Sequence, residues 1–283
     1  MKKVLVTGGA GFIGSNLIKE LVSKEINVTS LDNYSTGSKK NHVKGVKYFN
    51  LDIENIGQIN EFGFDNCFHL AAQSRVQPSY ENPQESVRVN VNGTLKILEW
   101  AKANSVKVVY AGSSSKHHNP ADSPYAMTKY LGEELCKLYK TSFNVKVEIS
   151  RFYNVYGPGE NVDEKYGNVI GIWRSKILKG EPLPIVGDGY QKRDFIHVDD
   201  LVDGLIKIAS TEEKHDDAWE LGTGVSYSIN QLFDYFRRKF NVDSYYIPDQ
   251  KGNYKENHRE NDDTIKLLNW YPKDRLKEYI NKL

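Results

Sequence analysis

An apolar run at the start of the chain, "KKVLVT", breaks into glycines: "GGAGFIGSNL" sets Gly8, Gly11 and Gly14 at regular three-residue spacing. No other feature constrains the fold as much. A buried strand has to stop and an amphipathic helix, read from Ser15 to Lys24, has to begin within a few residues. Glycine permits so tight a turn because it lacks a Cβ. The same bare backbone lets a phosphate group approach the helix N-terminus, where unpaired N–H groups and the helix dipole favour an anion. Strand, glycine turn and helix in that order open a nucleotide-binding βαβ unit, so the rest of the chain must supply more parallel strands.

Five further short runs answer that demand: "NVTSLDN", "VKYFNLDI", "CFHLAA", "VKVVYAGS" and "KVEISRFYNVYG". Helical patterns fall between several of them, notably Ser86 to Asn104 and Pro124 to Thr141. Apolar strands alternating with helices predict an α/β fold, a doubly wound parallel sheet of Rossmann type. After Gly157 the pattern shortens, punctuated by Pro158, Gly159, Pro182, Pro184, Gly187 and Gly189, with helical stretches at 169–179, 199–210, 229–240 and 275–282. The expected division is a nucleotide-binding domain over 1–157, with a returning segment near 190–222, and a smaller α/β substrate-binding lobe over 158–283.

Asp32 closes the second strand. A carboxylate there can accept hydrogen bonds from the adenosine ribose and repels a 2′-phosphate, which favours NAD over NADP. The alternative is a local Asx-turn in "DNYSTG".

The stretch "SSSKHHNPADSPYAMTKY" adds chemistry. Ser123 reads as an N-cap and Pro124 as a first helical residue. Met127, Leu131, Leu135 and Leu138 mark one apolar face of that helix. Tyr125 and Lys129, at i and i+4, share another face. A free tyrosine titrates near pH 10. An adjacent ammonium group and the positive end of the helix dipole are expected to favour phenolate and bring the phenol toward use as a general base.

Bulk properties exclude several classes. With 38 basic and 37 acidic side chains the net charge is +1, which offers nucleic acid no electrostatic footprint. Cys67 and Cys136 have no close-spaced metal pattern and read as buried free thiols, which suits a reducing compartment. His117 and His118 are adjacent rather than at a ligand spacing, so no metal site is expected. No apolar run approaches the roughly 20 residues of a membrane span, and "MKK" leads straight into a strand with no signal peptide, so the expected location is cytoplasmic.

Taken together, "TGGAGFIGS", "LDNYSTG", "LDI", "HLAAQ", "NVNGT", "YAGSSS", "YAMTK", "RFYNVYGPG", "RDFIHVDDL" and "LNWYPK" resemble the extended short-chain dehydrogenases/reductases of the nucleotide-sugar epimerase/dehydratase group over nearly the whole chain. The resemblance implies a bound NAD that is recycled, with Tyr125 as the base, Lys129 on the nicotinamide ribose and Ser113 orienting the substrate hydroxyl. It implies cofactor contacts from Gly8, Gly11, Phe12, Ile13, Gly14, Asp32 and Asn33. Asp52 and Ile53 would face the adenine, Leu70, Ala71 and Ala72 would wall the cofactor, and Asn90 would belong to the cofactor pocket. Asn154, Asn168, Val169, Arg193 and Asn257 match substrate positions: Asn154 and Arg193 at the diphosphate, Asn257 at the sugar end. His197 reads as packing. A homodimer is implied through helices near Val87–Asn104 and Pro124–Phe143.

The implied reaction is NAD-dependent epimerisation at C4 of a nucleotide sugar, UDP-glucose/UDP-galactose or their N-acetyl forms. The alternatives are a nucleotide-sugar 4,6-dehydratase or decarboxylase and, in another class, a non-catalytic NAD-binding regulator. An intact Ser, Tyr and Lys set argues against the regulator. In the dehydratases an Asp-Glu pair follows the catalytic Thr, and the decarboxylase keeps an acid at the second position; here those positions are Ser114 and Ser115, poor acids and bases. Two departures stand out. A short Lys116-His117-His118 connection follows the serines, where it offers a different acid or base. The second-lobe phosphate arginine is replaced within Gln250-Lys251-Gly252-Asn253, leaving Lys251 or Arg259 as substitutes.

Overall fold

A computed structural model describes residues 1–213 and 215–283. Six strands come in succession, β1 (Lys3–Thr7), β2 (Asn27–Asp32), β3 (Lys47–Asn50), β4 (Asn66–His69), β5 (Lys107–Ser113) and β6 (Val147–Phe152). They are followed by β7 (Asn154–Tyr156), β8 (Leu183–Val186), β9 (Lys192–His197), β10 (Trp219–Leu221), β11 (Ser226–Ser228), β12 (Ser244–Ile247) and β13 (Glu256–Asn257). The main sheet has the order β3-β2-β1-β4-β5-β6-β10, and every neighbouring pair is parallel. Connections run outward in both directions from β1, so a crevice opens where β1 and β4 part, at the carboxyl ends of the strands.

Side-chain alternation along β1 divides the core into two layers. Val4 and Val6 point to one face, with Leu17, Leu21, Leu205 and Trp219; Leu5 points to the other, with Leu31, Ile97, Leu98 and Val147. Both faces are covered, which is why the run reads as continuously apolar. Cys67 and Cys136 are buried free thiols in the second layer, and burial pushes both thiol pKa values up.

The later chain forms a smaller sheet, β11-β9-β13 with β7 also on β9, and a separate β12–β8 pair. Trp173, Phe195, Leu232, Phe236 and Ile280 build its core. Straight after β9 the chain crosses back: the helix Val198–Ser210 packs Leu201, Leu205 and Ile208 on the first layer, and β10 adds to the main sheet beside β6. No helix among the described residues is long and apolar enough to cross a membrane.

Two helix readings change. The pattern from Ser86 to Asn104 is a short helix Pro83–Val87, a π-turn Arg88–Gly93 and a helix Thr94–Asn104. In the helix Pro124–Ser142 the sheet-facing side is Ala126, Lys129, Gly132, Glu133, Cys136 and Tyr139, whereas Met127, Leu131 and Leu138 point outward. Close approach decides this: a Cβ on Gly132 would lie 2.2 Å from the Tyr110 hydroxyl, so small and polar residues take the inner face.

Candidate active site

The crevice is one continuous cavity of about 1060 Å³ running from the glycine turn to the second lobe. At one end Gly8 holds φ +73°, and a Cβ there would lie 2.9 Å from the Ala71 nitrogen; a Cβ on Gly14 would sit 2.2 Å from the Gly8 carbonyl oxygen. The helix Phe12–Ser23 starts at Gly11 with no side-chain cap and no acidic residue in its first turn, so its N–H groups are free for an anion. Asp32 makes the local Asx-turn and also faces the cavity. One oxygen accepts from Tyr34 N (2.8 Å), the other from Ala10 N in the glycine turn (2.9 Å), and the carboxylate still lines the cavity. Asn33 donates to Asp52 (3.0 Å), and the Arg88 guanidinium holds the Asp52 carboxyl below its usual range. Phe12, Ile13, Ile53, Leu70, Ala71 and Ala72 complete this wall. A bare cradle, an open helix end and a carboxylate at the second strand fit a dinucleotide.

Asn90 is not on that wall. It is buried in the π-turn, where its side chain accepts from Gln73 N (2.8 Å) and donates to Gln73 O and Thr128 Oγ1 (each 3.0 Å). It fixes the cofactor-side loop to the helix that carries Tyr125. Its amide needs buried partners, and the packed loop supplies them where the cavity does not.

The reacting groups meet at the end of β5. The Tyr125 hydroxyl donates to Ser113 Oγ (3.2 Å), and Ser115 Oγ donates to the same oxygen (2.9 Å). Ser114 Oγ accepts from Asn257 Nδ2 (3.0 Å), which brings β13 of the second lobe against the serines. Lys129 is buried; it donates to the Ala111 carbonyl and lies over the Tyr110 ring at 4.6 Å, and burial lowers its ammonium pKa to about 8. The expected depression of the phenol is not what the structure has. Burial raises the Tyr125 pKa, while the Ser113 hydrogen bond and the Arg75 charge pull it partly back. Helical spacing gave the right face, but desolvation outweighs an ammonium group that is turned to a carbonyl.

The altered loop supplies no acid or base to this point. Lys116 pairs with Glu134 (2.9 Å), His117 with Glu220 (3.0 Å), and His118 stacks on Tyr254 at 3.7 Å. None of the three lines the cavity.

In the second lobe Asn154 donates to the Asp194 carbonyl (3.2 Å) and lines the cavity. Asn168 caps the helix Val169–Leu178 and donates to the Val155 carbonyl (2.7 Å), also at the cavity wall, while Val169 turns into the packing around the second-lobe core. Arg193 donates to the Asn253 side chain (2.6 Å) and faces the cavity; burial lowers its guanidinium pKa to about 10. Arg259 is committed elsewhere, to the carbonyls of Gly222, Thr223 and Asn261 and to Asp262, and Lys251 does not line the cavity. His197 is buried between Tyr156 and Tyr279, as packing. Sequence reasoning passed over Arg75 and Tyr254, both on the cavity wall. A lone arginine straight after the "HLAAQ" wall was the available signal for the first.

The sequence profile of the NAD dependent epimerase/dehydratase family matches residues 4–222. A putative UDP-glucose 4-epimerase of Methanocaldococcus jannaschii is 34% identical over 99% of this chain and 96% of its own length. Among solved structures, UDP-glucose 4-epimerase of Thermotoga maritima with UDP-glucose is 28% identical with a TM-score of 0.90, covering 99% of this chain and 96% of that one. UDP-glucose 4-epimerase of Thermus thermophilus in complex with NAD is 27% identical with a TM-score of 0.86, at the same coverage of both chains.

Proposed function

The chain belongs to the NAD dependent epimerase/dehydratase family, and from that premise we propose that it inverts C4 of a nucleotide sugar, UDP-glucose/UDP-galactose or their N-acetyl forms, through a 4-keto sugar. NAD, held by the Gly8–Gly14 turn, Asp32 and the Leu70–Ala72 wall, supplies the hydride acceptor and donor. Tyr125 takes the proton from the sugar hydroxyl, Ser113 orients that hydroxyl, and Lys129 holds the nicotinamide ribose. Arg193 and Asn154 take the diphosphate end and Asn257 closes the sugar end. The two-lobe division at residue 157 belongs to the same reading, with β10 and the helix Val198–Ser210 returned to the cofactor side. So do a cytoplasmic location and a homodimer.

One observation carries the choice of reaction. The groups hydrogen-bonded at the Tyr125–Ser113 pair are hydroxyls and an amide, Ser115 on Ser113 and Asn257 on Ser114; the cations Lys129 and Arg75 are turned to the Ala111 and Tyr166 carbonyls, Lys116 and His117 are tied into ion pairs outside the cavity, and His118 is stacked away. A hydroxyl neither removes a C5 proton nor protonates a leaving hydroxyl at neutral pH, so a C4 oxidation here has no companion elimination. The test is turnover of UDP-glucose and UDP-N-acetylglucosamine in D₂O with products read by NMR. The C4 epimer without deuterium at C5 is expected. Deuterium at C5, a 4-keto-6-deoxy sugar, or CO₂ released from UDP-glucuronic acid in a parallel run would reject it.

A further inference from the structure

Three cationic side chains line the cavity with no carboxylate at ion-pair distance among the described residues: Arg75, Lys129 and Arg193. A fourth, Lys165, is paired with Glu81 (2.6 Å). Lys129 and Arg193 have work in the reaction above. Arg75 has none. Its Nε donates to the Tyr166 carbonyl (2.8 Å), across from the second lobe, and this single bond aims the guanidinium while its terminal nitrogens make no hydrogen bond to the described residues.

The position of Arg75 is fixed from behind as well. It caps the short helix Val76–Glu81, and Ser79 Oγ on that helix accepts from Tyr125 N (3.0 Å). The guanidinium and the reacting phenol are thus held by one hydrogen-bonded corner, and each feels the other's charge. The carboxylates on the cavity wall lie elsewhere or are engaged. Asp32 and Asp52 stand at the glycine-turn end, Glu81 pairs with Lys165, and Glu164 pairs with Lys176 and Lys179; Glu160, whose charge Arg75 feels, bonds Arg174 and Tyr279 through Oε1 and leaves Oε2 without a partner among the described residues.

A planar fork of donors, free at its open side, is suited to a carboxylate. Its nearness to the phenol that works on C4 restricts where that carboxylate sits on a substrate: on the sugar, at the carbon beyond C5. We propose that Arg75 is a specificity residue that receives a C6 carboxylate, so that the site takes a UDP-hexuronic acid in preference to the neutral UDP-hexose. This rests on the C4-epimerase reading for the placement of the sugar, and extends its substrate class.

Calorimetric titration of the NAD-loaded protein with UDP-glucuronic acid, UDP-glucose and UDP tests it, alongside Arg75→Gln and Arg75→Lys. Hydrogen bonds to a charged group predict a preference for the acid over the neutral sugar of roughly tenfold to a hundredfold. Arg75→Gln should bring that ratio near one, and Arg75→Lys, keeping charge without the fork, should restore part of it. No preference in the parent protein would overturn the proposal. So would a loss in Arg75→Gln that is equal for all three ligands, because the guanidinium would then be serving the diphosphate or only the Tyr166 latch. Circular dichroism checks each variant; if Arg75→Gln misfolds, the parent ratio and Arg75→Lys decide. NMR of the products separates the two readings. Preferred binding of the acid with no turnover of either sugar removes the epimerase and leaves the receptor. Turnover of UDP-glucose without preference for the acid does the reverse.

Discussion

Tyr125 is set against its own ionisation by burial, and that makes its neighbours matter. Removing the hydroxyl in Tyr125→Phe keeps the ring's volume, so folding and cofactor retention should survive while the rate falls by a factor of about 10² to 10⁴. Initial rates by coupled assay would show it, and parent-like turnover would end the assignment. The sign of the pH effect also follows. A phenol whose pKa is raised is protonated at neutral pH, so kcat/KM should climb as pH rises toward the tyrosine range. The Ser113 hydrogen bond lowers that pKa, so Ser113→Ala should move the climb to higher pH as well as slow the reaction; an unmoved profile would exclude Ser113 from tuning the base. Gly14 tests the cradle by sterics alone. A methyl group placed 2.2 Å from the Gly8 carbonyl oxygen must push the turn open, so Gly14→Ala should cost about 1–3 kcal/mol and most of the bound nucleotide. Thermal unfolding with release and quantitation of the nucleotide measures both.

Among the elements, the strand that returns to the main sheet depends on one buried charge cluster. Arg151 on β6 bonds Glu133 of the helix Pro124–Ser142 (3.0 Å), Asp217 (2.7 Å) and Glu220 on β10 (3.0 Å). Glu220 also accepts from Tyr153 (2.8 Å) and pairs with His117, whose pKa it raises. Arg151→Met leaves two buried carboxylates without their countercharge and should lose about 3–5 kcal/mol in denaturant unfolding; a loss under about 1 kcal/mol would mean that packing alone holds β10. None of this was readable in the chain, because the partners are far apart in sequence and each residue taken singly looks like solvated surface. The six early strands were readable, since burial on both faces writes itself as uninterrupted apolar runs, and the glycine turn fixed their order of use. Helices were less so. The π-turn at Arg88–Gly93 follows from the buried bonds of Asn90 to Gln73 and Thr128, a tertiary demand with no local signature. The short helix Val76–Glu81 holds Pro78, which reads as a break, and it carries the corner that aims Arg75. The N-cap and helical spacing put Tyr125 and Lys129 on one helix, and resemblance singled out Ser113, which ends β5, but the direction of the phenol's shift needed the desolvation that only the packed site supplies.

At the scale of the whole molecule the outward face of the helix Pro124–Ser142 is left to explain. Met127, Leu131 and Leu138 are 37%, 38% and 46% exposed, and Val87 and Leu95 on the adjoining helical segments are 44% and 37% exposed. The inward face is already taken up by Gly132, Glu133 and Cys136 against the sheet, so these apolar side chains cannot be buried within one chain. A second copy would cover them. Two such helix pairs brought together around a twofold axis make the face self-complementary, as a closed dimer requires, and need about 1,200–2,000 Å² of buried surface to be stable. Light scattering on the eluting protein should give twice the 32.3 kDa chain mass. Leu131→Lys with Leu138→Lys places two ammonium groups, each repeated by symmetry, into the apolar seam and should return the single-chain mass at micromolar concentration. Both side chains point away from the cavity, and neither contributes to its wall, so turnover per chain should hold in the monomer. A parent protein that elutes at single-chain mass, or a double variant that stays dimeric, would place the interface elsewhere or nowhere on this face.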